Sequence, residues 1–185
     1  MKDFSLFQHA LKISERPRED LGTISSLRRR DFDERESFLF RAEGPCIEYA
    51  CLMIENALLL RTNRSGRIYV GFEKLSLMQP VVERYLRIAD ISETVYVFGQ
   101  NDWQPPRHPN MRYISLTPGS RLTHETFLIA DCSNHHAALV AMHEAAVNEE
   151  KTEERKFKVI KSSNPAVVTQ LALALEAMID QSLVV

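Results

Sequence analysis

The 185-residue sequence predicts an α/β fold, with α+β as the alternative: one mixed β-sheet of about five to six strands flanked by helices, preceded by an N-terminal amphipathic helical extension. Three observations carry this expectation. RIYVGFE and TVYVFG are rich in β-branched and aromatic residues and enclose a helical phrase, the pattern of a crossover that lays two strands parallel in one sheet. From Ile47 to Leu58 the apolar residues step by three and four, as on one face of a helix. RKFKVIKSS alternates apolar and polar positions, as a half-buried strand does.

Along the chain, Phe4, Phe7 and Leu11 recur at helical spacing, with Asp3 available as a cap and Pro17 as the stop. LRRRDFDERE reads as a solvated helix face or linker, because Asp31, Asp33, Glu34 and Glu36 neutralise its arginines. FLFRA suits either a short strand or the end of a helix. Gly44-Pro45 breaks the chain, and proline is well placed in the first turn of a helix at about 45–61. Its inward face carries Ile47, Ala50, Cys51, Ile54 and Leu58, and its polar face Glu48 and Glu55. NRSG supplies a turn into RIYVGFE, and a helix at about 78–90 leads on to TVYVFG. QNDWQPPRHPNM holds three prolines and the only tryptophan, an irregular excursion from the strand end at which open α/β sheets commonly bind ligands. MRYISL and TFLIAD are strand candidates, AALVAMHEA suits strand or helix, and NEEKTEERK is a polar connector. Asn164-Pro165 opens a last helix at about 164–181 through Val167, Leu171, Leu175 and Met178. The domain boundaries that follow are 1–43 for the extension and 44–185 for the main domain.

A net charge of −2 gives no general attraction to nucleic acid, and the apolar runs fall short of the roughly 20 residues that cross a bilayer. No continuous apolar leader opens the chain, so a cytoplasmic location is expected. Cys46, Cys51 and Cys132 form no CxxC pair and no disulfide framework. GxGxxG, GxxxxGK[ST] and GxSxG are all absent, which removes the common signatures of phosphate binding and serine hydrolysis.

HETFLIADCSNHHAALVAMHE, from His124 to Glu144, gathers four of the six histidines around Cys132 and raises the question of a metal. Structural zinc sites show two closely spaced ligand pairs, whereas Cys132, His136 and His143 offer one loose set. No metal and no cofactor are expected.

The order of phrases from Ile47 to Ile179 resembles the DICT domain, a sensory module that bacteria, cyanobacteria especially, place in diguanylate cyclases and two-component proteins. The phrases are IENALL, VGFE, VERYLRIA, VYVFG, RYISLTPGSRLTHET, LIADCSNHHAALVAMHE and RKFKVIKSSNPAVV. The resemblance implies a non-catalytic sensory or regulatory domain, often tied to light-dependent signalling, in which TFLIAD and AALVAMHE pair as core strands around an SNHH turn. Two positions depart from it: Glu73 stands where glutamine is common, and Glu125 is followed by Thr126 rather than tryptophan.

No GGDEF phrase or kinase region accompanies these motifs, so the module is expected to act on a signalling partner (kinase, cyclase or regulator) or by self-association. The N-terminal helix is the candidate contact, and packing on its own core is the equally available alternative. A ligand pocket is expected at the strand ends around Phe72, Glu73, Tyr85, Trp103, Glu125, Arg155 and Phe157, unless Glu73, Glu125 and Arg155 simply pair with one another. A pure protein-interaction module without ligand, and a small metal-dependent enzyme using Cys132 and the nearby histidines, stay open as alternatives.

Overall fold

A computed structural model describes residues 3–14, 19–61, 65–144 and 155–183, with side chains as far as 180. Its elements run α1 (Leu6–Ile13), β1 (Glu19–Thr23), α2 (Arg29–Glu34), β2 (Ser37–Glu43), α3 (Gly44–Leu59), β3 (Arg67–Lys74), α4 (Val82–Asp90), β4 (Thr94–Gln100), β5 (Met111–Ser115), β6 (Glu125–Cys132), β7 (His135–His143), β8 (Lys156–Ser162) and α5 (Pro165–Leu183).

The strands form one sheet in the order β1-β2-β8-β7-β6-β3-β4-β5. Its centre, from β2 to β3, is antiparallel, and the pairs β1/β2 and β3/β4/β5 add parallel wings. The fold is α+β, and the sheet has eight strands where five to six were expected. FLFRA is a strand, β2, and β1 (EDLGT) lacks the apolar alternation that would have announced it. The crossover expected between β3 and β4 is present and parallel. Pro80 lies in a 3-10 segment, Leu75–Val81, and α4 begins after it, because proline cannot donate the hydrogen bond a helix interior needs. AALVAMHE settles as β7, hairpinned to β6 with Cys132 opposite His135.

Two layers of helix cover the sheet. On the front, α3 and α4 pack on Ile68, Val70, Val95, Val97, Leu128 and Leu139, and the exposed, ion-paired α2 contributes its buried Phe32. On the back, α1 and α5 pack on Tyr69, Phe98, Phe127, Ile129 and Val140. Leu171 and Leu175 of α5 are almost fully buried there, each worth at most about 1.5–3 kcal/mol on area grounds. Asn164 caps α5, its Oδ1 accepting from the N–H groups of Ala166 and Val167 at 3.0 and 3.2 Å.

The N-terminal helix is capped by Ser5, not by Asp3, and Leu6, Phe7 and Ala10 are fully buried under α5 and over β7 and β8. Its apolar stripe therefore packs on the chain's own core. Glu55, expected on the polar face of α3, is buried. Pro17, Asn63 of the NRSG turn, and most of the NEEKTEERK connector lie outside the described residues. No described helix is long and apolar enough to cross a membrane.

Candidate functional site

The residues expected to line a pocket fall into three groups. Phe72 and Tyr85 meet edge to face on the front layer, ring centroids 6.2 Å apart. The Tyr85 hydroxyl donates to Glu55 Oε1 at 2.9 Å, and Arg84 Nη1 donates to Oε2 at 2.6 Å, so the buried carboxylate is doubly satisfied. Burial, with Glu55 beside it, pushes the Tyr85 phenol well above its usual range and keeps it a neutral donor. Trp103 and Phe157 lie partly buried against the same front core, with Phe157 edge-on to His143. Arg155 and Glu73 form the second group, an ion pair at 3.1 Å with both side chains about two-fifths exposed. Glu125 stands apart on the back layer. There its Oε1 accepts from Ser5 Oγ at 2.5 Å and its Oε2 from the Phe7 N–H at 3.1 Å, holding the start of α1. Burial raises its pKa, and those donors with Arg121 offset the rise only in part.

Two clefts lie at the opposite end of the sheet and include none of these seven residues. One, of about 320 Å³, opens between the starts of β3 and β7 and α5, lined by Gly66, Arg67, Tyr69, Asp131, His136 and Glu176 among others. A second, of about 300 Å³, continues it past Arg67 to Thr94, Tyr96 and Asp180. Arg67 separates them. Its Nη1 pairs with Glu176 Oε1, its Nε lies 3.9 Å from Glu93, and the Tyr69 hydroxyl donates to the same Glu176 oxygen at 2.6 Å. Burial and Glu176 raise the Tyr69 phenol, and Tyr69 stacks on Tyr96 at 5.2 Å. Asp131 accepts from Thr169 at 3.2 Å and lies 3.1 Å from His136 Nδ1. The cleft wall is thus built from the sheet on one side and α5 on the other, joined by polar contacts rather than by packing alone.

Gly66 fixes the floor of the first cleft. Its φ of +94° is glycine's territory, and a Cβ there would come 2.5 Å from Cys132 Sγ. That close approach buries Cys132, whose thiol is pushed up by burial and partly relieved by Arg61. Cys132 faces the front layer and His136 the back, because side chains alternate along a strand and these two lie on opposite faces of the hairpin. Among the described residues no three His, Cys, Asp or Glu side chains gather as a metal would require. His124 is exposed, and burial and Arg61 lower the pKa of half-buried His135.

Arg67, Tyr69, Glu176, Asp131 and His136 escaped the sequence reading as a group. A signal existed: Ala172, Glu176 and Asp180 recur at i+4 on a second face of α5, and Arg67 and Tyr69 share one face of β3. The expectation of a site at the carboxyl ends of the strands came from open parallel sheets, and the antiparallel centre of this one has no such common end.

Among solved structures, polyphosphate kinase from Porphyromonas gingivalis matches with a TM-score of 0.55 at 11% identity, over 83% of this chain and 29% of the kinase. This is a likeness of fold, and the chain spans under a third of that protein's length. A phospholipase D family member, Nuc from Salmonella typhimurium, fits less closely, with a TM-score of 0.40 at 15% identity over 79% of this chain and 96% of Nuc. No curated protein matches. Residues 50–144, just over half of the chain and including β3 to β7, match the family model described as the sensory domain in diguanylate cyclases and two-component systems, and the chain therefore belongs to the DICT family.

Proposed function

We propose that this DICT chain is a non-catalytic sensory module whose back cleft takes a small polar molecule and whose response passes to a signalling partner through α5. The carrying observation is the junction of Arg67, Tyr69 and Glu176, where one carboxylate of α5 is held by two side chains of β3. An occupant of the cleft meets β3, the β6–β7 hairpin and α5 together, so it favours one seating of α5 over another in proportion to its different affinity for each. Support for a non-catalytic role comes from the polar groups themselves: Glu176, Asp131 and Glu125 are each engaged by two side-chain or backbone groups rather than poised as a nucleophile and base pair. The front group of Phe72, Tyr85, Trp103 and Phe157, with the Glu73–Arg155 pair, is on this reading a packed support and a partner-facing rim. Any link to light is assigned on this reading to the partner: Cys46 and Cys132 are buried, and Cys51 is partly buried against the front core.

The test is native mass spectrometry of protein isolated from its own host, followed by hydrogen exchange with and without any retained molecule. A stoichiometric small molecule whose removal deprotects α5 and the start of β3 is the expected result. A protein that carries no small molecule, and copurifies instead with a kinase, cyclase or second copy seated elsewhere, would move the function to a ligand-free interaction module. Stoichiometric zinc lost on Cys132→Ser would overturn the non-catalytic reading in favour of a metal enzyme.

A further inference from the structure

We infer that the back cleft is selective for an organic cation, a guanidinium or primary amine, which enters by taking the place of the Arg67 side chain at Glu176; this rests on the cleft being the sensory site. The cleft already holds such a group. The Arg67 guanidinium sits against Glu176, whose oxygen also accepts from the Tyr69 hydroxyl, so the receiving geometry for an N–H donor is built and occupied from within the chain.

Three features make that occupancy exchangeable. The Arg67 side chain is 49% exposed, and solvent screens ion pairs so placed, so displacing it costs little. Glu93 stands 3.9 Å from Arg67 Nε, while Glu176 pairs with Nη1, so the displaced guanidinium keeps a carboxylate partner. Tyr69 and Tyr96 stack beside the position, and aromatic faces attract organic cations.

The charge balance selects the sign. Among the described residues Arg67 is the single arginine or lysine lining the two connected clefts, against the carboxylates of Glu93, Asp131, Glu176 and Asp180. An anion would have to draw Arg67 away from Glu176 and then lie among these carboxylates with no further lysine or arginine among the described lining residues. A cation meets the opposite situation: on its arrival Glu176 keeps a positive partner in the ligand and Glu93 one in the displaced Arg67, while Asp131 keeps Thr169 and His136. The exchange also has a structural consequence: once Arg67 leaves, the tie between β3 and α5 passes through the ligand and the Tyr69 hydroxyl alone.

Titration calorimetry of the full chain with agmatine and with spermidine, at low salt, tests the inference. The expected outcome is saturable binding that weakens about tenfold in Glu176→Gln and tightens about threefold in Arg67→Gln, the weakly held internal competitor being gone. Glu34→Gln, on the exposed α2, should leave affinity unchanged. Opposite effects at two ends of one ion pair are not produced by a variant that merely misfolds. Failure of both wild type and Arg67→Gln to bind either probe overturns the inference, and so does an equal loss in Glu34→Gln and Glu176→Gln, which marks loose surface attraction. Inorganic phosphate binding that disappears in Arg67→Gln overturns the cation class while leaving the cleft as the sensory site; loss of every ligand from the cleft, native or probe, removes both.

Discussion

Glu55 and Lys161 are two charged groups placed inside the front core, and each is tolerated for a stated reason. Glu55 shares its oxygens between Tyr85 and Arg84. Tyr85→Phe removes one of these bonds from a buried acceptor and should cost about 1 kcal/mol in urea denaturation, with Glu55 still held by Arg84. Lys161 Nζ donates to the Arg35 carbonyl at 2.7 Å and lies over the rings of Phe32 and Phe38. Burial pushes its pKa down from 10.5 to about 8, with Asp33 and Glu36 opposing. Between those values the unfolded lysine keeps a proton that the folded one has shed, so the unfolded state binds more protons and stability rises with pH. Denaturation from pH 7.5 to 10.5 should show wild type gaining on Lys161→Met across that window; parallel curves would place Lys161 in solvent. Neither residue was legible as buried. Periodicity assigns a charge to the outer face of a helix, and only the three-dimensional approach of α4 reveals the partners that make Glu55 an inner residue.

The back helix α1 is held from below, by Glu125 at the start of β6. Glu125→Ala should leave the sheet intact and raise amide exchange selectively over residues 6–14, because the first-turn donors of α1 lose their acceptor. Equal exchange across the whole sheet would show instead that Glu125 supports the global fold. Gly66→Ala tests the turn before β3: the positive φ and the contact with Cys132 make any side chain there costly, and the melting temperature should fall by several degrees. Elements with strong alternation or helical spacing, such as β3, β4, β8, α3 and α5, could be read from the chain. β1 could not, since its residues are mostly exposed and its pairing with β2 supplies the reason for its conformation. The candidate site was less legible still, because its walls come from β3, the β6–β7 hairpin and α5, and no local pattern encodes their meeting.

At the scale of the molecule, the family-matched segment 50–144 contains β3 to β7 but neither α1, β8 nor α5. Tyr69, Phe98, Phe127, Ile129 and Val140 would then face water on the back of the sheet. A fragment of residues 50–144 should therefore show no cooperative thermal transition and should aggregate, whereas residues 3–183 melt in one step. The pairing of β2 with β8 joins positions as far apart as Ser37 and Ser162, 125 residues along the chain. During synthesis, at about 5–20 residues per second, Phe38, Leu39 and Phe40 leave the ribosome roughly 6–25 s before the strand that will cover their backbone exists. The N-terminal wing is thus the last part of the sheet able to zip shut, and for that interval a short, strongly apolar strand waits in the cell with the edge that β8 will cover still open, where a chaperone or a neighbouring nascent chain can reach it first.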